Sequence, residues 1–296
     1  MNTAEYAEMY QLESFYWWFV ARRKLLESLM HEVTREFTSP AILDVGCGTG
    51  MNFSVLSKFG DTVSSDSAGE ALWFCKSRGL SGLVQSEGES LPFASSSFDV
   101  VTALDVLEHC DNDLDAMGEL LRVTKENGVL VITVPAYGFL WSEHDEALHH
   151  RRRYAASELR NKLTNAGFEV ERITYYITLL FFPILFLRFV QSVFKKSIQA
   201  KTSHVILPRW LNRVLIWILG FERQLLSWMN FPFGVSLVCL ARKVGSDRGR
   251  HSAGSNIGSG RDSGRQLVTE PPLREQDQEL GGRLQKTSSW LVNNSA

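Results

Sequence analysis

An excess of charge of one sign is missing from this sequence: 31 Lys and Arg stand against 33 Asp and Glu, a formal net charge of −2. That balance gives no support to polyelectrolyte binding, so a histone-like chain or an acidic tail is excluded and no nucleic-acid partner is expected. Cysteine is scarce. Cys47, Cys75, Cys110 and Cys239 stand far apart without a C-x-x-C pair. The N-terminus MNTAEYAEMY lacks the basic-then-apolar order of a secretory signal, and together these absences predict a reducing, cytoplasmic compartment. A wholly disordered chain is excluded as well, because 44% of the 296 residues are hydrophobic and 22% charged, enough for one large domain or two small ones.

The even total hides an uneven distribution. Residues 1–149 carry 9 basic and 23 acidic side chains, a balance of −14, whereas residues 150–243 carry 15 and 4, a balance of +11. A basic stretch threaded with Trp, Phe and Leu suits an anionic partner surface. From Val244 the text changes to GSDRGRHSAGSNIGSGRDSGR, where apolar residues nearly vanish, so residues 244–296 are expected to be a disordered tail. The isolated apolar residues near Trp290 are too few to close a core.

Between these limits strands and helices alternate. AILDVGCGTG (Ala41 to Gly50) is a short apolar run ending in glycines, followed by a helical MNFSVLSKFG; TVSSD and the helix SAGEALWFCKSRG repeat the pattern. LVQSEG, FDVVTALDVLEH, a helix over DNDLDAMGELLRVTKENG and the wholly apolar VLVITVP continue it, then a helix from Ser157 to Ala166 and a strand FEVERITYY. Strands apolar on both faces and alternating with helices predict a doubly wound, Rossmann-like, mostly parallel seven-stranded sheet with helices on both faces. The expected organisation is a helical cap (1–39), this core (40–176), an apolar helical lid or membrane-facing insertion (177–230), a last strand FGVSLVCLARK (231–243) and the tail. Within the cap, FYWWFVARRKLLESLM (Phe15 to Met30) reads as an aromatic helix that packs on the sheet or caps the ligand site.

A glycine-rich turn after the first strand puts backbone N–H groups at the carboxyl edge of the sheet, where ligands of open α/β sheets bind. Gly46, Gly48 and Gly50 form that turn. A dinucleotide fingerprint, counted from Gly46, needs glycine at position 51, which is Met51, so a nicotinamide oxidoreductase is disfavoured. Asp66 ends the second strand, where a carboxylate can accept from the ribose hydroxyls of an adenosine.

The sequence D-V-G-C-G-T-G resembles the glycine motif of class I S-adenosylmethionine-dependent methyltransferases. The resemblance spans residues 40–175 and implies a cofactor site made by Asp44, Gly46, Cys47, Gly48, Gly50, Asp66 and Ser67. It implies an adenine-edge loop in LVQSEGESLPF, with Glu87 or alternatively Glu89 receiving the adenine amino group. It also implies a fourth strand whose end, Leu104, Asp105 and Val106, lines the cofactor pocket. Residues 17–23, W-W-F-V-A-R-R, and residues 144–154, H-D-E-A-L-H-H-R-R-R-Y, are further similar to the type 11 methyltransferase group, which includes ubiquinone- and menaquinone-methyltransferase-like enzymes.

Methyl transfer from a sulfonium is an in-line displacement from an activated donor, so alignment and exclusion of water matter most. A hydroxyl acceptor also needs a base. His144, His149 and His150 follow the fifth strand directly; His144, His150 and Tyr154 match the type 11 motif and are the candidate catalytic residues, against the alternative of a solvated H-H-R-R-R loop. No three metal ligands with the usual spacing are evident, so no metal is expected.

The stretch Ile173 to Val190 nears the length of a membrane span but is broken by Pro183 and charged at Arg188. The second apolar stretch, Trp210 to Met229, sets Trp210, Val214, Ile218, Phe221, Leu225 and Trp228 on one helical face beside Arg209, Arg213 and Arg223, the composition of a helix lying in a lipid interface. Lys195, Lys196 and Lys201 add charge between the two. The expectation is a methyltransferase acting on a small, lipophilic acceptor, with peripheral contact to an anionic inner membrane face or a packed lid. The alternative is a cofactor-binding partner subunit without turnover.

Overall fold

The computed structural model describes residues 3–193 and 207–245; Lys195, Lys196, Lys201 and the tail from residue 246 lie outside them. Seven strands form one sheet: β1 (Ala41–Val45), β2 (Asp61–Asp66), β3 (Leu83–Gln85), β4 (Phe98–Leu104), β5 (Thr124–Pro135), β6 (Phe168–Tyr176) and β7 (Ser236–Lys243), in the order β3-β2-β1-β4-β5-β7-β6. All neighbouring pairs are parallel except those made by β7, which runs against β5 and β6. Chain order reverses between β1 and β4, which is where a doubly wound sheet opens a crevice at its carboxyl edge.

The apolar runs explain how the helices, among them the short α3 (Phe53–Leu56), α4 (Gly69–Ser77) and α6 (Glu143–Ala147), are layered with this sheet. Val129 to Val134 of β5 are all buried because helices cover both faces. On one face Leu43, Val101 and Ile132 pack with Met117 and Leu120 of α5 (Asp113–Val123) and Leu159 and Leu163 of α7 (Ala156–Ala166). On the other, Ile42, Val100 and Val131 pack with Leu25 and Leu29 of α2 (Trp17–Val33) and Leu219 and Leu226 of α9 (Arg209–Leu226). The helix expected to run on through Gly128 stops at Val123 instead. Thr124 Oγ1 donates to the Leu120 carbonyl at 2.6 Å and Asn127 takes φ +62, so TKENG belongs to the start of β5.

Two residues of α9 hold the starts of other helices. Asn212 of α9 accepts from Trp17 N–H at 2.8 Å and donates to the Phe15 carbonyl at 2.9 Å, capping the start of α2, whose own Tyr16 offers no side-chain bond there. Glu222, fully buried, accepts from the N–H groups of Thr178 (2.9 Å) and Leu179 (3.0 Å), just ahead of α8 (Phe181–Val193). An acidic group at a helix start is favoured by the exposed N–H groups and the dipole.

The aromatic stripe of α9 faces outward. Trp210 is 67% exposed, Trp217 71% and, just past the helix end, Trp228 90%, while Leu219, Glu222 and Leu226 on the other face are buried. On α8, Phe182, Phe186, Leu187 and Phe189 are exposed too, while Phe181 is buried. Among the described residues no helix is long and apolar enough to cross a membrane.

Candidate functional site

A cavity of about 570 Å³ lies at the carboxyl edge of β1, β2, β4 and β5, roofed by α2 and by α1 (Thr3–Leu12). Its floor is the glycine turn. Gly46, Gly48 and Gly50 all have positive φ (+70, +55 and +83), a region that costs other residues strain. A Cβ on Gly46 would stand 2.4 Å from Val106 Cγ2, and one on Gly48 2.9 Å from Met9 Cε. The missing side chains thus let Val106 and Met9 pack closely against the turn, and the backbone of Gly46 and Gly48 lines the cavity directly. Gly50 faces away, where a Cβ would meet Cys75 Sγ at 2.7 Å, and serves the turn without lining the cavity.

Asp66 and Ser67 line the cavity beside this turn. The Asp66 carboxylate is a staple: it accepts from Gly48 N–H at 2.8 Å and Ala68 N–H at 3.0 Å, and burial pushes its pKa up. Each oxygen keeps lone-pair capacity for a further donor. Asp44 lies beneath the turn and outside the cavity lining, fully buried, with Oδ1 accepting from Thr102 Oγ1 at 2.7 Å. Burial pushes its pKa up to about 7. Cys47 lines the cavity with its Sγ 3.9 Å from Cys75 Sγ; the shared hydrogen bond and burial push its pKa up, so it packs and does not react.

The adenine-edge expectation needs correction. Glu87 is exposed and outside the cavity lining, and Glu89 turns away to accept from Asp111 N–H at 2.9 Å. The same loop presents Ser86 and Gly88. The Ser86 hydroxyl is buried without a partner among the described residues, which makes it the polar group this loop offers. A short serine gives no sequence signal beside two carboxylates.

The far end of the cavity is richer than the sequence suggested. Leu104, Asp105 and Val106 line it, and Asp105 holds φ +59, a strained value that aims its carboxylate inward. There it pairs with Arg22 of the W-W-F-V-A-R-R segment, whose guanidinium also donates to Thr133 Oγ1 at 2.5 Å and lies 5.4 Å from the Trp18 ring centroid. The aromatic helix therefore both packs on the sheet, through Leu25 and Met30, and caps the site, through Trp18 and Arg22. From α1, Tyr6 and Met9 join the lining with no motif to announce them.

Next to Asp105, Glu108 is buried with both carboxylate oxygens unpartnered among the described residues; burial and the Asp105 charge push its pKa well up. His109 follows, its pKa pushed down to about 3 by burial and then by His150. The two imidazole rings meet edge to face at 4.8 Å. His150 Nδ1 lies 2.9 Å from Oδ1 of the buried Asp145, which also takes Arg153 Nε at 2.7 Å. Although burial pushes the Asp145 pKa up, the bonds from His150 and Arg153 outweigh it and hold the carboxyl well below its usual range. His144 also lines the cavity.

Tyr154 is a correction. It is fully buried, outside the cavity lining, and its hydroxyl donates to Asp113 Oδ2 at 2.8 Å and lies 3.2 Å from the Leu107 carbonyl. The bulky phenol fills the core under α5 and α7, so it holds the loop and does not reach the cavity. The motif that supplied it supplies Arg153 to the cavity instead.

Residues 43–132 match the family model described as a methyltransferase domain, type 11. This core is a class I S-adenosylmethionine-dependent methyltransferase domain. The mitochondrial ubiquinone biosynthesis O-methyltransferase of Schizosaccharomyces pombe is 34% identical over 118 residues, covering 35% of this chain and 42% of the relative. The malonyl-[acyl-carrier protein] O-methyltransferase of Buchnera aphidicola is 28% identical over 125 residues, covering 42% and 51%. The chain thus spans about half or less of these curated relatives. A solved structure of a possible histamine N-methyltransferase from Thermotoga maritima shares the fold at TM-score 0.52 with 16% identity, covering 81% of this chain and 95% of that one. The cofactor of this methyltransferase domain is S-adenosylmethionine, and the residues fit it: the Cβ-free turn, the Asp66 carboxylate and the unpartnered Ser86 hydroxyl surround one open cavity.

Asp66→Ala should weaken S-adenosylmethionine by about 10- to 150-fold. It removes charge-assisted bonds worth about 1.5 to 3 kcal/mol. It also frees the Gly48 amide that the carboxylate now holds. Calorimetry with S-adenosylmethionine and with NAD checks both points; unchanged affinity, or preference for NAD, contradicts the assignment.

Proposed function

We propose that this protein transfers the methyl group of S-adenosylmethionine to a hydroxyl of a small, lipophilic acceptor. The observation that carries the reading is the continuity of one cavity from the glycine turn to the Glu108, His109 and His150 cluster, walled by Trp17, Leu29 and Ile184. Sulfonium chemistry needs a dry, aligned path, and apolar walls exclude water from it. Proton removal from a hydroxyl then falls to the polar cluster at the end of β4. Two similar proteins are by name O-methyltransferases, one of them in ubiquinone biosynthesis, which supports an oxygen acceptor.

The outward aromatic faces of α8 and α9 support a second part of the proposal. They rest on an anionic inner membrane face, from which the acceptor enters past Ile184 and Arg188, which line both α8 and the cavity. The reading as a cofactor-binding subunit without turnover is less favoured, since such a subunit has no use for a buried acid beside two histidines. Incubating the full chain with methyl-labelled S-adenosylmethionine and a lipid extract, then following label by mass spectrometry, tests the reaction. Label in a lipid-soluble product is the expected result; cofactor bound with no labelled product supports the subunit.

A further inference from the structure

Glu108, His109 and His150 form the group in question. Their ligand atoms lie within 4.8 Å of one another, although 41 residues separate the first pair from the third in sequence. Ligands around a tetrahedral zinc, at bonds of about 2.0 to 2.1 Å, stand roughly 3.3 Å apart, so small side-chain rotations close the set. Glu108 is 1% exposed with both oxygens unpartnered among the described residues, and leaving a carboxylate so is costly unless something binds it. The neighbouring cations do not fill that role: Arg22 is paired with Asp105, and Arg153 with Asp145 at 2.7 Å. The His150 Nδ1 bond to Asp145 at 2.9 Å fixes the ring, so its Nε2 is left for another partner. A histidine oriented by a carboxylate on its far nitrogen is how metal-binding imidazoles are commonly held.

The geometry points to a divalent-cation site made by Glu108, His109 and His150, oriented by Asp145 and open toward the cavity. One carboxylate and two imidazoles suit zinc, cobalt or nickel better than magnesium or calcium. Three protein ligands leave one position free, and an oxygen bound there is made more acidic by the ion. The use of that position by an acceptor hydroxyl rests on the function proposed above; the existence of the site does not. This replaces the expectation of no metal: spacing along the chain hid a set that the β4 end and the loop after β5 bring together.

The test uses the full chain, stripped with chelator and dialysed, without any acceptor. Zinc is titrated by calorimetry, and cobalt(II) by its visible absorption. One ion per chain at micromolar or tighter affinity is expected, with cobalt bands of a four- or five-coordinate nitrogen and oxygen site. Glu108→Gln and His150→Gln should each lower affinity by about 100-fold or more, and Asp145→Asn by about 10- to 100-fold through ring orientation. S-adenosylmethionine affinity, measured in parallel, identifies any variant that fails to fold. The wild-type cobalt spectrum needs no variant at all. No binding, binding unchanged in the folded variants, or a thiolate-to-cobalt band assigning the ion to cysteine overturns the site. Failure of methyl transfer with the ion bound leaves the site standing and counts against the acceptor reading.

Discussion

Full-length protein should co-sediment with anionic vesicles at low salt and leave them when Arg209 and Arg213 are both changed to Glu. Both arginines are exposed at the start of α9, next to Trp210 and one turn from Val214 and Trp217, so charge and aromatic surface share one edge. A basic group near an anionic surface contributes about 1 kcal/mol. Reversing two of them removes two attractions and adds two repulsions. The change is about 4 kcal/mol, or roughly a thousandfold in partition. Raising salt from 0.1 to 1 M shortens the screening length from about 10 to about 3 Å, so wild-type binding should fall steeply, whereas a packed lid would be indifferent. Neutral vesicles should hold the protein weakly, through the interfacial aromatics alone. Protein that stays in the supernatant with anionic vesicles at low salt, or a double variant that sediments like wild type, refutes the membrane face.

The sheet was legible because its signal is local. A short, β-branched apolar run such as VLVITVP between turn signals reads as a strand buried on both sides, and glycines at 46, 48 and 50 announce a turn at positive φ, which glycine adopts with least strain. Asp66 was legible for the same reason, being the last residue of a strand whose neighbour carries the turn. What stayed hidden depends on distance. Asn212 capping α2, Arg22 crossing to Asp105, and Tyr6 and Met9 over the glycine turn join residues that no motif links.

The acceptor end shows a subtler failure. Both motifs there, D-V-L-E-H and H-D-E-A-L-H-H-R-R-R-Y, were visible, but sequence could not say which of their members face inward. A turn that sets His149 at φ +57 sends His150 toward Asp145 and Tyr154 into the core. The members of the two motifs that line the cavity are Asp105, Val106, Glu108, His109, His144, Leu148, His150 and Arg153. Glu87 and Glu89 fail likewise. A loop has no fixed period to say which side chains face inward, so carboxylate identity predicts less than backbone geometry does.

Replacing Asp44 with Asn should remove a large part of the pH dependence of folding stability. Asp44 is fully buried, with a folded pKa pushed up to about 7, chiefly by burial and further by the nearby Asp66 charge. In the unfolded chain the group titrates near 3.9. A carboxyl raised on folding contributes stability that is complete below the unfolded value and is lost as pH rises through the folded one. The window is therefore about pH 4 to 7, and the whole difference is about 4 kcal/mol, with roughly 2 to 3 kcal/mol falling between pH 5 and 8. Asn keeps an oxygen for Thr102 and has no charge to desolvate. Urea unfolding of both proteins at intervals from pH 5 to 8, without cofactor, should give curves that converge or cross, with the variant gaining relative to wild type as pH rises. Parallel curves would mean that Asp44 ionises in the folded protein as it does in water. The consequence for function is specific: below about pH 7 a neutral Asp44 beneath the turn leaves Asp66 as the carboxylate that a positively charged cofactor meets at this edge of the cavity.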